Sequence, residues 1–179
     1  MLNIYNTRTK KIEAFTPIKQ GEVSLYSCGP TVYDYVHIGN IRTFLLTDIL
    51  KRTLELSGYT VHHIMNITDV GHLTDDENDQ GEDKLEKGSK REGKTAWEIA
   101  SFYTDAFKTD IKRVNIIDPT KFVAATDHIK EQIDQVKKRI ANGYTYQTDD
   151  GIYYDTTKND TYGDLINLKG QSLQAGARV

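Results

Sequence analysis

The sequence predicts an α/β fold in which a parallel sheet is followed by a segment of mixed helices and strands. An apolar helical pattern over residues 38–57 lies between two strand patterns, at residues 22–26 and 59–67. A strand, a helix and a second strand form a βαβ crossover, which implies a parallel sheet with a ligand crevice at the carboxyl ends of its strands. Further along, residues 95–141 have helical apolar periods and residues 144–155 change to a hairpin pattern.

The composition excludes several classes of protein. The chain has 179 residues, with 23 Lys and Arg against 26 Asp and Glu, and a net charge of -3. This balance argues against a dedicated nucleic-acid coat, which normally leaves a strongly basic footprint, but it leaves room for an RNA substrate on a local patch. One cysteine excludes an intrachain disulfide, and no apolar run approaches the ~18 residues that a membrane span needs. We therefore expect a cytoplasmic protein with no membrane partner.

The first predicted elements are short strands and one long helix. Residues 2–15 fit two strands around a polar turn, and residues 22–26 fit a third. The helix over residues 38–57 has apolar residues near a 3.6-residue period, and Gly58 stands where helices commonly end. Residues 59–67 alternate or run apolar, as a buried strand does.

A change of charge marks a boundary after this strand. Residues 75–83 carry six acids and no base, whereas residues 84–94 carry five bases. Because glycines are frequent and apolar residues are few, residues 74–94 are predicted to form a solvated loop. We divide the chain there, with residues 1–70 as the first domain and residues 71–179 as the second.

The second domain begins with two predicted helices. Thr95 and Glu98 have the spacing of a capping box, which places a helix start near Thr95. Its predicted apolar face consists of Trp97, Ile99, Phe102, Tyr103, Phe107 and Ile111. A third helix is predicted from about residue 126 to residue 141, ended by the Asn-Gly pair at 142–143, and a hairpin follows over residues 144–155.

The segment between the first βαβ strand and its helix carries the chemistry. Residues 28–40 read Cys-Gly-Pro-Thr-Val-Tyr-Asp-Tyr-Val-His-Ile-Gly-Asn. Backbone N–H groups at a helix N-terminus are unpaired and the helix dipole favours anions, so a triphosphate is expected near residues 38–40. His37 can donate to phosphoryl oxygens, Gly39 leaves room for a flat base or ribose, and Asn40 adds a neutral donor. From these residues alone, His37 fits equally well as an ordinary helix-start residue.

This segment resembles the signature of the cysteinyl-tRNA synthetases, class I aminoacyl-tRNA synthetases whose His-Ile-Gly-His motif stands here as His37-Ile38-Gly39-Asn40. The resemblance continues, in the family's order, at residues 66–70, 125–129, 151–155 and 173–179. It covers nearly the whole chain. It implies that residues 1–70 are the first half of a Rossmann-like nucleotide-binding domain with the His-Ile-Gly-His-type motif, and that residues 71–179 are an α+β connective insertion.

The resemblance implies an enzyme that joins cysteine to its tRNA in two steps. Cysteine and ATP, with Mg²⁺, give cysteinyl adenylate and pyrophosphate, and the cysteinyl group then passes to the terminal adenosine of the tRNA. The resemblance implies that His37 and Asn40 are catalytic and stabilise the triphosphate while the cysteine carboxylate attacks the α-phosphorus. The ATP-binding residues are Pro30, Thr31, His37, Ile38, Gly39 and Asn40.

The resemblance also assigns the amino-acid site. Gly29, Thr31 and Thr68 line the pocket for substrate cysteine, and Cys28 is one ligand of a Zn²⁺ ion that binds the substrate thiolate directly. Soft sulfur holds zinc far better than a hydroxyl does, so such a site rejects serine. Without the surrounding motif, Cys28 is better explained as a small buried apolar residue.

The chain departs from the family pattern in two places. The family completes its zinc site with a Cys, a His and a Glu from beyond the inserted domain, and this chain has no second cysteine. His62 and His63 point to opposite faces of a strand, so they cannot both bind one metal from that strand. The family's Lys-Met-Ser-Lys-Ser motif is also missing, because residues 87–91 resemble it only superficially within the charged loop.

These observations predict an N-terminal portion of a cysteine–tRNA ligase that is inactive alone. Two alternatives remain: a free-standing nucleotide-binding paralogue without catalysis, and a related ligase that joins activated cysteine to an amino sugar. The ending at Val179, inside a family motif, argues against the first alternative, and the run over residues 28–34 argues against the second. An open strand edge and an uncovered apolar face predict association or marginal stability.

Overall fold

The computed structural model describes residues 2–70 and 93–165, which form two compact units. Within the described residues, the first unit comprises Leu2 and Phe15–Asp127, and the second comprises Asn3–Ala14 and residues 128–165. Residues 74–92 of the predicted charged loop and the last family motif, at residues 173–179, lie outside the described residues. The domain division after residue 70 stays a prediction, since compact units and domains are different kinds of division.

The described residues contain seven strands and three α-helices. In chain order they are β1 (Asn3–Asn6), β2 (Lys11–Ala14), β3 (Glu22–Ser27), α1 (Ile38–Leu56), β4 (Thr60–Ile67), α2 (Ala96–Arg113), β5 (Lys121–Ala124), α3 (Ile129–Ala141), β6 (Thr145–Gln147) and β7 (Ile152–Tyr154). Two short 3-10 helices cover Ala125–His128 and Thr156–Lys158. Every strand and helix predicted within the described residues is present, and β5 is additional.

The first unit is built on a parallel sheet with the order β3-β4-β5. Val23 faces Val61 across the first pair of strands, and Met65 faces Phe122 across the second pair. The helix α1 makes the crossover from β3 to β4, as the βαβ pattern predicts. This sheet confirms the α/β fold class. Because β5 pairs with β4, the sheet also continues beyond residue 70.

The core of the first unit lies where α2 packs on the sheet and on α1. The capping box of α2 is confirmed, because the Glu98 amide donates to the Thr95 hydroxyl and the Thr95 amide donates to the Glu98 carboxylate. The buried cluster contains Val32, Phe44, Met65, Ile67, Ile99, Ala100, Tyr103, Phe107, Ile111 and Ile116.

Two residues predicted on the apolar face of α2 are exposed instead. Trp97 is 67% exposed and Phe102 is 44% exposed. Trp97 lies two positions before Ile99, which puts it on the opposite side of the helix. Phe102 flanks the buried stripe, where its ring makes edge contacts with Tyr35 and Tyr103. The buried stripe is therefore narrower than the sequence predicts.

The second unit combines two antiparallel hairpins with α3. β1 pairs with β2 and β6 pairs with β7, as predicted. The helix begins at Ile129 rather than near residue 126, because Ala125–His128 forms a 3-10 helix, and it ends before Asn142 as predicted. Its apolar stripe stays between 41% and 48% exposed and consists of Ile129, Ile133, Val136 and Ile140.

Within residues 2–70 and 93–165, none of the helices is both long and apolar enough to cross a membrane.

Candidate nucleotide-binding site

A cavity of about 400 Å³ is lined by the loop that follows β3 and by the first turns of α1. It brings together six of the predicted site residues, Cys28, Gly29, Pro30, Thr31, His37 and Asn40. Ile38 and Gly39 line a separate apolar groove along α1 instead, and the Ile38 side chain is 88% exposed. Thr68 does not line the cavity but lies directly beside Thr31, as described below.

His37 is the N-cap of α1, and its ring orientation is fixed by the helix itself. The Nδ1 atom accepts hydrogen bonds from the Gly39 amide at 3.0 Å and from the Asn40 amide at 3.4 Å. In return, the Asn40 side-chain oxygen accepts from the His37 amide at 3.1 Å. This reciprocal arrangement is a capping box with a histidine in the place usually taken by Ser or Thr.

The cap determines which atoms remain available as donors. Because Nδ1 of His37 is an acceptor, the neutral ring carries its proton on Nε2. Because the Asn40 oxygen accepts from the His37 amide, the Nδ2 group is the part of this side chain that can donate to a ligand. The site therefore offers two neutral side-chain donors.

The same cap corrects one expectation about the helix terminus. The backbone amides of residues 38–40 were expected to be unpaired and to hold the phosphates, but those of Gly39 and Asn40 already donate to His37. Only the Ile38 amide of this turn is left out of the cap. The two explanations offered for His37, helix-start residue and phosphate donor, therefore use different nitrogens of one ring.

Gly39 leaves space for the ring of His37, and its expected role beside a base or ribose stays a prediction. A Cβ atom at Gly39 would lie 2.8 Å from the Cε1 atom of His37 and 3.0 Å from its Nδ1 atom. Both distances are shorter than ordinary van der Waals contact. A side chain at position 39 would thus push the His37 ring out of its capping position.

Backbone hydrogen bonds join the cavity loop to the end of β4. The Thr68 amide donates to the Pro30 carbonyl at 3.0 Å, and the Val32 amide donates to the Thr68 carbonyl at 3.1 Å. These bonds form an isolated parallel bridge between Thr31 and Thr68. The two threonines assigned to the cysteine pocket are therefore neighbours across the sheet.

Cys28 is exposed and reduced, which differs from the buried residue that the single cysteine would suggest without its motif. Among residues 2–70 and 93–165, no three His, Cys, Asp or Glu side chains are close enough to hold a metal ion. One thiolate does not fit a zinc site, which normally has three or four protein ligands. The described residues thus do not form a complete zinc site.

The two adjacent histidines of β4 lie on opposite faces, as predicted. His62 is exposed and its Nε2 atom lies 3.2 Å from the Glu22 carboxylate. His63 is 2% exposed, and its Nε2 atom lies 2.8 Å from the hydroxyl of Ser27, the residue before Cys28. Burial lowers the pKa of His63, the positive charge of Lys51 lowers it further, and the carboxylate of Asp48 opposes both effects. The sequence did not indicate this buried pair.

Polar side chains of α1 bind the segment that precedes β5. The Asp48 carboxylate accepts from the Ile117 amide at 2.9 Å and from the Arg52 guanidinium at 2.7 Å. The Lys51 ammonium donates to the Asp118 carbonyl at 2.8 Å. Asp48 and Lys51 are each only 6% exposed, so these bonds are made largely out of water. They fix the middle of the helix whose first turn forms the site.

Comparison with known proteins gives a consistent set of relatives. Residues 14–179 match the family described as tRNA synthetases class I (C) catalytic domain. Cysteine–tRNA ligase 1 of Burkholderia lata is 53% identical over 99% of this chain and 38% of its own length. The cysteine–tRNA ligase of Treponema denticola is 51% identical over 99% of this chain and 36% of its own length. The chain therefore spans about a third of the length of these relatives.

Solved structures support the fold at lower identity. The ternary complex of Agrobacterium radiobacter K84 agnB2 LeuRS with tRNA and LeuAMS has a TM-score of 0.56 and 19% identity, covering 73% of this chain and 16% of that one. A putative arginyl-tRNA synthetase from Campylobacter jejuni has a TM-score of 0.55 and 14% identity, covering 80% of this chain and 40% of that one. These likenesses show an α/β fold of the Rossmann type.

Proposed function

This chain belongs to the class I tRNA synthetase (C) catalytic-domain family, and on that premise we propose that it supplies the nucleotide-binding part of a cysteine–tRNA ligase. The whole reaction activates cysteine with ATP and transfers the cysteinyl group to tRNA. The relatives that bear this name are about three times as long, so the part assigned to this chain is the site that holds ATP and receives cysteine.

One observation carries the proposal: His37 and Asn40, the two members of the capping box of α1, line the same cavity as Cys28. Attack of the cysteine carboxylate on the α-phosphorus places growing negative charge on phosphate oxygens. The Nε2–H group of His37 and the Nδ2 group of Asn40 can donate to those oxygens. Because both side chains are already held by backbone bonds, little reorganisation is needed as the charge develops.

The cysteine pocket is proposed around Gly29, Thr31 and Thr68, where the cavity loop meets the end of β4. Cys28 is proposed as the one thiolate ligand that this chain offers to Zn²⁺, which would bind the substrate sulfur in the complete site. Because one ligand is too few, we expect less than one zinc per chain by elemental analysis. Mg²⁺ would accompany ATP through its phosphate oxygens.

The assignment of the nucleotide site is tested by ATP binding to the 179-residue chain. Isothermal titration with ATP and Mg²⁺ should show binding that His37→Ala weakens at least tenfold. His62→Ala is the matched control, because His62 is an exposed histidine of the same unit that does not line the cavity, and its Kd should stay within twofold. Equal binding by both variants, or no binding by the unmodified chain, would contradict the proposal.

Pyrophosphate exchange separates the proposed function from its alternatives. ATP–pyrophosphate exchange driven by cysteine is expected at background for this chain and at full rate for a protein of the relatives' length. A nucleotide-binding paralogue would bind ATP, yet neither this chain nor a longer protein that contains it would show cysteine-dependent exchange. A ligase that acts on an amino sugar would exchange with cysteine but would not charge tRNA.

A further inference from the structure

The cavity loop begins with a bulge between the first two strands of the parallel sheet. β3 and β4 are in register up to Ser27, which faces Met65. Their next pairing is Thr31 with Thr68. Three residues of the first strand, at positions 28–30, therefore face two residues of the second, at positions 66–67. One extra residue on one strand is the definition of a β-bulge, a feature that re-aims side chains near active sites.

The bulge reverses which side chains point into the protein. Along β3 the odd positions face inward, as Val23 and Ser27 do, and the even positions face outward, as Tyr26 does. After the bulge the even positions face inward, because Val32 is 1% exposed and belongs to the core. Strict alternation would instead place Thr31 in the core and Val32 at the surface.

Asn66 fills the bulge with its side chain. Its Oδ1 atom accepts from the Gly29 amide at 2.9 Å and from the Tyr26 hydroxyl at 3.1 Å. Its Nδ2 atom donates to the Thr68 hydroxyl at 3.0 Å. The Gly29 amide thus finds a side-chain acceptor where the backbone ladder is interrupted.

Gly29 and Asn66 fit each other closely. A Cβ atom at Gly29 would lie 1.7 Å from the backbone oxygen of Asn66, which no side chain tolerates. The bulge therefore requires glycine at position 29 and a hydrogen-bond acceptor at position 66. The amide oxygen of asparagine is that acceptor.

We propose that Asn66 is a positioning residue of the cysteine pocket, because its side-chain hydrogen bonds hold the bulge in place. Strict strand alternation would place Cys28 and Thr31 on opposite faces of the sheet, and with the bulge both residues line the cavity. It also fixes the Thr68 hydroxyl beside them. This role rests on the proposed function only for the identity of the ligand. The hydrogen bonds by which Asn66 holds the bulge lie within the chain and do not depend on a ligand.

The pinning is tested by amide hydrogen exchange of Gly29, read by NMR on the 179-residue chain. Asn66→Ala removes the acceptor and should accelerate exchange at Gly29 at least tenfold. Asn66→Asp keeps an acceptor for the amide and should restore exchange to within twofold of the unmodified chain. If the aspartate variant exchanges as fast as the alanine variant, the side-chain acceptor is not what holds Gly29.

Tyr26→Phe is the matched control for a general loss of structure around Asn66 that does not involve the Gly29 hydrogen bond. It removes the other donor to the same Asn66 oxygen but leaves the Gly29 bond intact, so exchange at Gly29 should change less than twofold. Exchange at Val23 and Val61, within the paired part of the strands, shows in the same spectra that each variant is folded. Equal acceleration in Tyr26→Phe and Asn66→Ala would overturn the proposal.

The consequence for the ligand is tested by equilibrium binding. In Asn66→Ala the Kd for cysteine should rise at least fivefold in the presence of ATP. The Kd for ATP should rise by a smaller factor, because Pro30 and Thr31 lie on the same loop whereas the His37 cap is untouched. Equal weakening of both ligands would contradict a role specific to the cysteine pocket. If the unmodified chain does not bind cysteine, the proposed function fails, and the exchange measurements still decide whether Asn66 pins the bulge.

Discussion

The two compact units of this chain present the same helical pattern with different outcomes. In the first unit, α2 repeats apolar residues every fourth position, and Ile99 and Ile111 are fully buried. In the second unit, α3 repeats apolar residues just as regularly, yet none of its described residues is buried. Both helices are amphipathic, but among the described residues only α2 packs against a buried core.

A helical period of apolar residues therefore identifies an apolar face without identifying what covers it. The transfer of apolar surface from water is the main stabilising contribution, so the first unit is expected to hold most of the stability. The candidate nucleotide site also lies in that unit, on a loop and a helix start that the packed sheet positions. The second unit relies more on partly exposed contacts, such as the stacked rings of Tyr146 and Tyr153 at 5.7 Å.

The largest expected effect comes from one substitution made in each unit. Ile111→Ala removes a fully buried side chain and should lower the free energy of unfolding by about 2–5 kcal/mol. Ile133→Ala makes the same change on α3, where the side chain is 48% exposed, and should lower it by less than about 1 kcal/mol. Urea unfolding measures both, and equal losses would contradict the contrast between the units.

A second pair of substitutions compares glycines of the two units. Gly29→Ala places a methyl group against the Asn66 backbone and should destabilise by about 1–3 kcal/mol or more. Gly151→Ala, in the hairpin of the second unit, places a methyl group 3.9 Å from the Tyr153 ring and should change stability by less than about 0.5 kcal/mol. Thermal melting of both variants checks this, and a harmless Gly29→Ala would show that the bulge can relax.

A third pair compares the ion pairs of the two units. Asp48→Asn should lower the free energy of unfolding by about 1–2 kcal/mol, because the buried carboxylate uses one oxygen for the Ile117 amide and the other for the Arg52 guanidinium, and asparagine has only one acceptor oxygen. Asp164→Asn, whose partner Arg8 lies 3.4 Å away at an exposed surface, should change it by less than about 0.5 kcal/mol. A large effect of Asp164→Asn in urea unfolding would overturn the view of the second unit as weakly held.

The smallest expected effect is the pH dependence contributed by His63. Burial holds its pKa in the folded chain below the ordinary value of about 6.5, so below that pH the unfolded chain binds more protons. The free energy of unfolding should therefore fall as the pH drops below about 6.5, by at most about 1.4 kcal/mol per pH unit from this residue.

Replacing His63 isolates that contribution. Urea unfolding between pH 7 and pH 5 should show that the free energy of unfolding falls less steeply for His63→Asn than for the unmodified chain. All other titrating groups are shared by the two proteins. Identical pH slopes would mean that His63 is as easily protonated in the folded chain as in the unfolded one.

Local signals in the sequence predicted local structure well. The helix over Ile38–Leu56, the Thr95 capping box and the turn between β6 and β7 each depend on residues a few positions apart. Alternation along β4 also predicted that its two histidines face opposite ways. It did not show that His63 is the buried one, because that depends on which face the core covers.

The sequence did not predict features that depend on pairing between distant segments of the chain. β5 has four residues and follows a proline, and its pairing with β4 joins segments separated by the whole of α2. The Asn66 contacts depend on a one-residue change of register that no single segment reveals. The glycine at position 29 and the asparagine at position 66 were both visible, but only the sheet brings them together.

ATP binding to the cavity of the first unit can be mapped by amide chemical shifts measured with ATP and Mg²⁺. Shift changes are expected to concentrate in residues 28–44, with the largest changes around His37 and Asn40, and the shifts of residues 128–165 should stay unchanged. Absence of shifts at residues 28–44, or larger shifts in residues 128–165, would contradict binding in this cavity.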